Sequence, residues 1–480
     1  MKKIKLLSVI LLLSQAGMIF GQKQLHDSLL HYINIAMQQS PLVLQKYHNY
    51  KASLHKIPQV ASLPDPELNM GIFLEPMEIV SGRQYADIQL MQMFPWFGTL
   101  KYARDEMSLM AKAEFESLRD AKLQISYELQ KKWYDLYKNQ RNIMLVQQNI
   151  DLLNSIEKLA LIKYKTSGSG FSAKTQSSSS STKSTGESTA PNMGGGMIGM
   201  SSTTNVTTNA GMSMPGQGMT TDALGLSAVL RLQMEKAELQ NSLESLFSRK
   251  KTLTAGFNAI LDRNAEIPVF VPDSIAGSAE TITLLPPEIP SDVPMLEMIR
   301  YESESLRAKK EMQKRMGYPM LGAGVSYSVI GKSDMSMSDP EMNGKDMFMP
   351  MLKISLPIYR SKYKAMRSET EALTAASKSK FRETYNFIQT AYYEAVEQYQ
   401  NNLRQLTLYR QQVVTLQKIL DLSVREFSVS GKGLSEILRS RQELFDFELK
   451  IEETQSDLNT SIALIDRLTN KSDFSNHIKE

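Results

Sequence analysis

The sequence predicts a mainly helical protein with a small β part, in which two long antiparallel coiled-coil hairpins each follow a pair of strands. Three observations support this. The two halves of the 480-residue chain carry the same punctuation, and each half holds a span of about 70 residues free of glycine and proline, enough for about 100 Å of unbroken helix. Ahead of each span lie two short stretches in which apolar and polar residues alternate.

Taken in order, the chain opens with Lys2, Lys3 and Lys5, a mostly apolar run from Leu6 to Phe20, and a small residue, Gly21. This reads as a secretory signal peptide over 1–21. A short membrane anchor is the alternative, but about 15 apolar residues fall short of the roughly 20 that span a bilayer. No later stretch approaches 18 consecutive apolar residues, so the rest of the chain is expected to be soluble or to meet a membrane as strands. Cysteine is absent, which excludes disulfides, thiolate metal sites and cysteine catalysis. A net charge of +4 gives no reason to expect nucleic acid as a partner.

The repeat is visible in matched segments. "QSPLVLQKYHNYKASL" around Pro41 pairs with "DVPMLEMIRYESESL" around Pro294, and "PELNMG" from Pro66 with "PMLGAG" from Pro319, both at an offset of 253. "FPWFGTLKYA" with Pro95 pairs with "LPIYRSKYKA" with Pro357 at an offset of 262. Further on, "YKTSGSG" answers "FSVSGKG" at an offset of 263, while "GLSAVL" from Gly225 answers "GLSEIL" from Gly433 at only 208. The first hairpin has therefore gained about 55 residues at its tip.

These matches set the boundaries. The first repeat covers 22–265, with strands at about 67–75 and 84–94, a long helix over 99–166, a Met/Ser/Gly-rich insert over 168–224 and a return helix over 226–262. A proline-rich linker occupies 266–291. The second repeat covers 292–480, with strands at about 319–330 and 347–356, a long helix over 358–430 and a return helix over 434–469. Within the long helices, Phe381, Tyr385, Ile388, Tyr392, Ala395 and Tyr399 step by fours and threes, as do Ile143, Val146, Ile150 and Leu153. That rhythm is a coiled-coil seam. The alternating stretches, flanked by Phe94, Trp96, Phe97 and Tyr359, have the pattern of outer-membrane barrel strands. Two hairpins cannot close a barrel, which takes at least eight strands, so membrane strands here imply an oligomer.

The duplicated order of proline-initiated helix, strand hairpin, Pro-plus-aromatic exit at Pro95 and Pro357, long helix, "GLS" tip and returning helix resembles the TolC family of outer-membrane efflux proteins. The resemblance covers essentially the whole chain after residue 21 apart from the insert. It implies a homotrimer in the outer membrane of a Gram-negative bacterium, with four strands per protomer in a shared 12-stranded barrel and the hairpins forming a long periplasmic α-barrel. It also implies a periplasmic adaptor docked at the hairpin tips, here Gly225, Leu226 and Ser227 with Gly433, Leu434 and Ser435, and an inner-membrane pump beyond it. The insert departs from the family pattern and bears on whether the first tip docks like its relatives.

Methionine is concentrated in two places. Met193, Met197, Met200, Met212, Met214 and Met219 lie in the insert, and Met335, Met337, Met342, Met347, Met349 and Met351 lie in "DMSMSDPEMNGKDMFMPM". The repeat puts the second group in and beside the longer outer loop, so the two groups would sit at opposite mouths of a tunnel. Thioethers are soft ligands suited to Cu(I) and Ag(I), and neither group contains histidine, which disfavours Zn(II) or Cu(II). The metal would be transient cargo rather than a resident cofactor, and a branch of the family serves copper and silver efflux. Against this stand incidental clustering in a methionine-rich chain, a spacer role for the insert, and strand methionines facing lipid.

The functional expectation is thus a passive efflux channel for soft metal ions. Its alternatives are a channel for drugs, amphiphiles or secreted polypeptides, and an exported structural coiled coil. Enzyme activity is not expected: no P-loop, GxSxG or HExxH motif occurs.

Overall fold

The computed structural model describes residues 29–168, 223–273, 275, 292–334, 341–430 and 434–470. The expected leader, the insert methionines from Met193 to Met219, Met335, Met337 and Gly433 lie outside the described residues. The elements run α1 (Leu29–Gln39), α2 (Pro41–Ala61), β1 (Glu67–Ile79), β2 (Gly82–Phe94), α3 (Thr99–Gly168), α4 (Ala223–Ile260), α5 (Pro294–Met316), β3 (Met320–Gly331), β4 (Met347–Ser355), α6 (Arg360–Ser430) and α7 (Leu434–Thr469). The 70 residues of α3 and the 71 of α6 contain no helix breaker before the terminal Gly168 of α3. α4 begins three residues earlier than the expected return helix, because Ala223 and Leu224 are good helix formers.

Each half builds its own core from equivalent positions. In the first, Val43 of α2, Ile125 and Leu136 of α3, and Phe257 of α4 are buried in one cluster. In the second, Leu296 of α5, Ile388 and Tyr399 of α6, and Ile465 of α7 take the same places, at the offsets of 253, 263 and 208 read from the sequence. The return helices end alike as well. Asp262 and Asn470, 208 residues apart, both adopt a left-handed backbone with φ of 52° just past the helix, a conformation in which Asp and Asn are among the few tolerated side chains. After the first of these, Asn258 donates to the carbonyls of Ala265 and Ile267 at 2.9 and 2.8 Å, pinning the chain that leaves α4.

α3 is the hub. It packs against α1, α2 and α4 of its own half and against α5 and α7 of the other, whereas α6 packs, among the described residues, mainly on α5 and α7. The segment after α4 ties in too: the Phe270 amide donates to the Tyr32 hydroxyl, and Gln455 of α7 donates to the Ile275 carbonyl.

The four strands form one antiparallel meander in the order β1-β2-β3-β4. β1 runs four residues beyond its expected end at 75. Pro76 is accommodated because β1 is an edge strand and the register skips between Ile72 and Met77, so the missing amide breaks no ladder bond. The outer turn is then only Val80 and Ser81, closed by Gly82 at φ 132°.

The hub assignment fixes a stability expectation. Leu129 of α3 is fully buried in the first core, whereas Leu161 near the far end of the same helix is 38% exposed. Leu129→Ala is expected to cost about 2–5 kcal/mol, and Leu161→Ala well under that, measured as the difference in thermal melting followed by circular dichroism.

Candidate functional site: the sheet and the hairpin junction

Residues paired across an antiparallel ladder share a face, so the register divides the sheet into two surfaces. Leu68, Met70 and Ile72 of β1 pair with Leu90, Ile88 and Ala86 of β2, and these in turn with Val325, Tyr327 and Val329 of β3. The same face continues onto Phe348, Leu352 and Ile354 of β4. It is almost wholly apolar, and it is uncovered: Ile72 is 79% and Leu352 88% exposed. Apolar area of this kind on both hairpins signals a partner that is lipid or protein.

The opposite face has different chemistry. Asp87 of β2 accepts from the hydroxyls of Ser326 and Ser328 at 2.9 and 3.0 Å and from the amide of Gln89 at 2.8 Å. Gln84 donates to Ser328 at 3.2 Å. The carboxylate is thereby held by three donors on a half-buried polar strip.

Methionines join this polar strip. Met347, Met349 and Met351 pair with Ser328, Ser326 and Gly324, which places all three on the polar face, away from the apolar surface. Met342 is exposed in the loop before β4. Met91 and Met93 of β2 pair with Gly324 and Gly322, and Met320 has the same parity, so they lie on the polar face too. Sequence reasoning missed these three. The signal was available in "YADIQLMQMF", where Met91 and Met93 alternate with the apolar-face residues Leu90 and Phe94. Of the sites expected at the tips, Gly225, Leu226 and Ser227 lie in the first turns of α4, Leu434 opens α7, and Ser435 beside it is exposed.

Where the strands meet the helices, aromatic side chains collect. Trp96 stacks on Tyr318 with ring centres 5.3 Å apart, and Phe97 and Tyr359 are 77% and 82% exposed. Arg315 at the end of α5 donates to the Phe97 carbonyl at 3.2 Å and fixes the turn at Gly98, whose φ is 86°. Aromatic rings of this kind are enriched at membrane–water interfaces. Among the described residues no helix is long and apolar enough to cross a membrane.

The two hairpins are joined by a charged contact. Glu452 of α7 accepts from Arg141 of α3 at 2.9 Å (Nε) and 2.8 Å (Nη2), and from the Tyr137 hydroxyl at 3.1 Å. Burial, followed by the neighbouring Glu452 charge, pushes the Tyr137 hydroxyl above its usual range, and the hydrogen bond to Glu452 raises Arg141. The contact is mostly enclosed by α3 and α7, so its parts are coupled. A double-mutant cycle with Arg141→Ala and Glu452→Ala is expected to show a coupling of about 1–2 kcal/mol in denaturant unfolding.

No family model matches the chain, and no curated protein matches it. Solved structures do. The chain is similar to the outer membrane protein VceC from Vibrio cholerae at 13% identity, with a TM-score of 0.64 over 92% of this chain and 95% of that one. It is similar to CusC, whose structures concern folding and transmembrane channel formation, at 10% identity and a TM-score of 0.66 over 92% of both chains. It is also similar to the MtrE outer membrane channel of Neisseria gonorrhoeae at 11% identity and a TM-score of 0.64, over 92% of this chain and 89% of that one. At such coverage, the chain has the fold of the TolC-type outer membrane channels.

Proposed function

We propose that this protein is the outer membrane channel of an efflux system, a passive conduit with a large periplasmic part, and that its cargo is a soft metal ion, Cu(I) or Ag(I). The observation that carries the channel reading is the two-faced sheet. One surface is apolar and uncovered, the other holds Asp87, the serines and the methionines, and both edges, β1 and β4, are unpaired among the described residues. Pairing β4 of one copy with β1 of the next satisfies both edges and turns the apolar face to lipid and the polar face to the lumen. Three copies give the 12-stranded barrel that the TolC resemblance implies.

The helices support the same assembly. Leu373, Phe387, Leu408 and Leu422 of α6 share one heptad position, interleaved with Lys380, Glu394, Asn401 and Thr415, and are 41–65% exposed without a covering partner among the described residues. A neighbouring copy supplies one. Transport energy comes from elsewhere: the tips at Gly225–Ser227 and Gly433–Ser435 are proposed to dock a periplasmic adaptor, which joins the channel to an inner-membrane pump.

The cargo proposal rests on methionine chemistry. Sulfur sites that are weak and exchangeable suit an ion that must be both taken up and released. Cells lacking the gene are expected to accumulate copper and silver, measured by elemental analysis, and to clear them on complementation. Unchanged metal with raised retention of dyes or detergents would point to organic cargo instead. The insert is expected to be dispensable for assembly, since its Gly-, Ser- and Thr-rich composition offers no core of its own. Deletion of residues 169–222 is therefore expected to leave the trimer band on a gel intact, and its loss would contradict this.

A further inference from the structure

We propose that Met91, Met93 and Met351 form a thioether site for a soft monovalent cation on the polar face of the sheet, at the end where the strands run into the helices. This rests on the conduit reading for the ion's purpose, and on geometry for the site itself. Gly322 and Gly324 of β3 stand between the methionines of β2 and the side chains of β4. A Cβ on Gly322 would lie 2.7 Å from the Met93 sulfur and 3.3 Å from the Met91 sulfur, and one on Gly324 would lie 3.0 Å from the Met91 sulfur. The two thioethers therefore occupy the room the glycines leave, and the two sulfurs are no further apart than the sum of those first two distances.

Met351 is the register partner of Gly324 on the β4 side and shares the polar face with Met91 and Met93. Two strand spacings of about 4.8 Å separate Met91 from Met351, within joint reach of two flexible four-atom side chains across a glycine. A glycine pair in a strand interior weakens the strand unless something approaches closely there, and here the sulfurs do. No group of three or more His, Cys, Asp or Glu among the described residues could hold a metal, and the carboxylates on this face, Glu67 opposite Met91 and Asp87 bonded to Ser326 and Ser328, are hard ligands that do not compete for a soft ion. Three neutral thioethers select Cu(I) or Ag(I) over hard divalent cations. Lys353, the partner of Gly322, and Glu67, the partner of Met91, put one charge of each sign beside the site, so the hold on a cation comes from the neutral sulfurs and stays weak and exchangeable.

The test uses the full-length trimer in detergent, with Ag(I) in nitrate buffer as a redox-inert probe, bound metal being counted after equilibrium dialysis. Met91→Leu/Met93→Leu/Met351→Leu is expected to lose one silver ion per protomer, while Met70→Leu on the apolar face loses none. Gly322→Ala, which crowds the Met93 and Met91 sulfurs without removing them, is expected to weaken that silver ion at least tenfold. Silver binding by a trimeric triple variant equal to that of the wild type overturns the inference. Conductance of the wild-type protein in a planar bilayer is measured in parallel. Its absence would overturn the conduit reading, while the silver count would still decide the site.

Discussion

Much of this structure turns on a four-stranded sheet whose two edges are unpaired among the described residues. Four strands expose two rows of backbone donors and acceptors and an apolar surface, and neither deficit can be met by the helices, which attach only at the strand ends. Unpaired edges and uncovered apolar area are costly in water, and the proposed barrel of several copies in a bilayer would meet both deficits. The helical part meets the same requirement from below. α3 packs against five other helices, whereas α6 keeps exposed apolar positions uncovered among the described residues, which the proposed neighbouring copy would meet.

The duplicated sequence explains how so long a molecule is stabilised. Its helices are too extended to share a single core, so each half carries its own, at equivalent residues, and each return helix stops at the same left-handed turn. The halves are then fastened both by apolar packing, Val146 and Ile150 of α3 against Phe445 of α7, and by a charged contact, Arg141 and Tyr137 on Glu452. A charged junction has one geometry in which all its hydrogen bonds are made. That sets the relative height of two helices whose repeating surfaces would otherwise permit sliding by a heptad.

The fold class was legible in the sequence because its signals are long: glycine- and proline-free spans and a heptad rhythm at Ile143–Leu153 survive any local ambiguity. Strand ends were less legible. Pro76 reads as a terminator unless one knows that β1 lies at an edge, and edge position is a property of the assembled sheet. The methionines divide in the same way. Clusters such as Met347 to Met351 stand out by density, but Met91 and Met93 sit in an ordinary alternating strand, and only the register with Gly322 and Gly324 brings them toward the others. Adjacency across strands is written in pairing, which a single sequence does not record.

The lengths of α3 and α6 carry a last consequence. At 1.5 Å and 100° per residue, adding one residue within either helix lengthens it slightly but rotates everything beyond it by more than a quarter turn. The seam, the contact at Glu452 and the match with the other hairpin would be lost together. Length changes within the coiled coil are therefore quantised, permitted in sevens and in both hairpins at once. Only the tip is exempt, because nothing farther along must stay in phase. The chain's one large departure from its own internal symmetry, residues 168–224, lies at that single place where its geometry tolerates an insertion of any length.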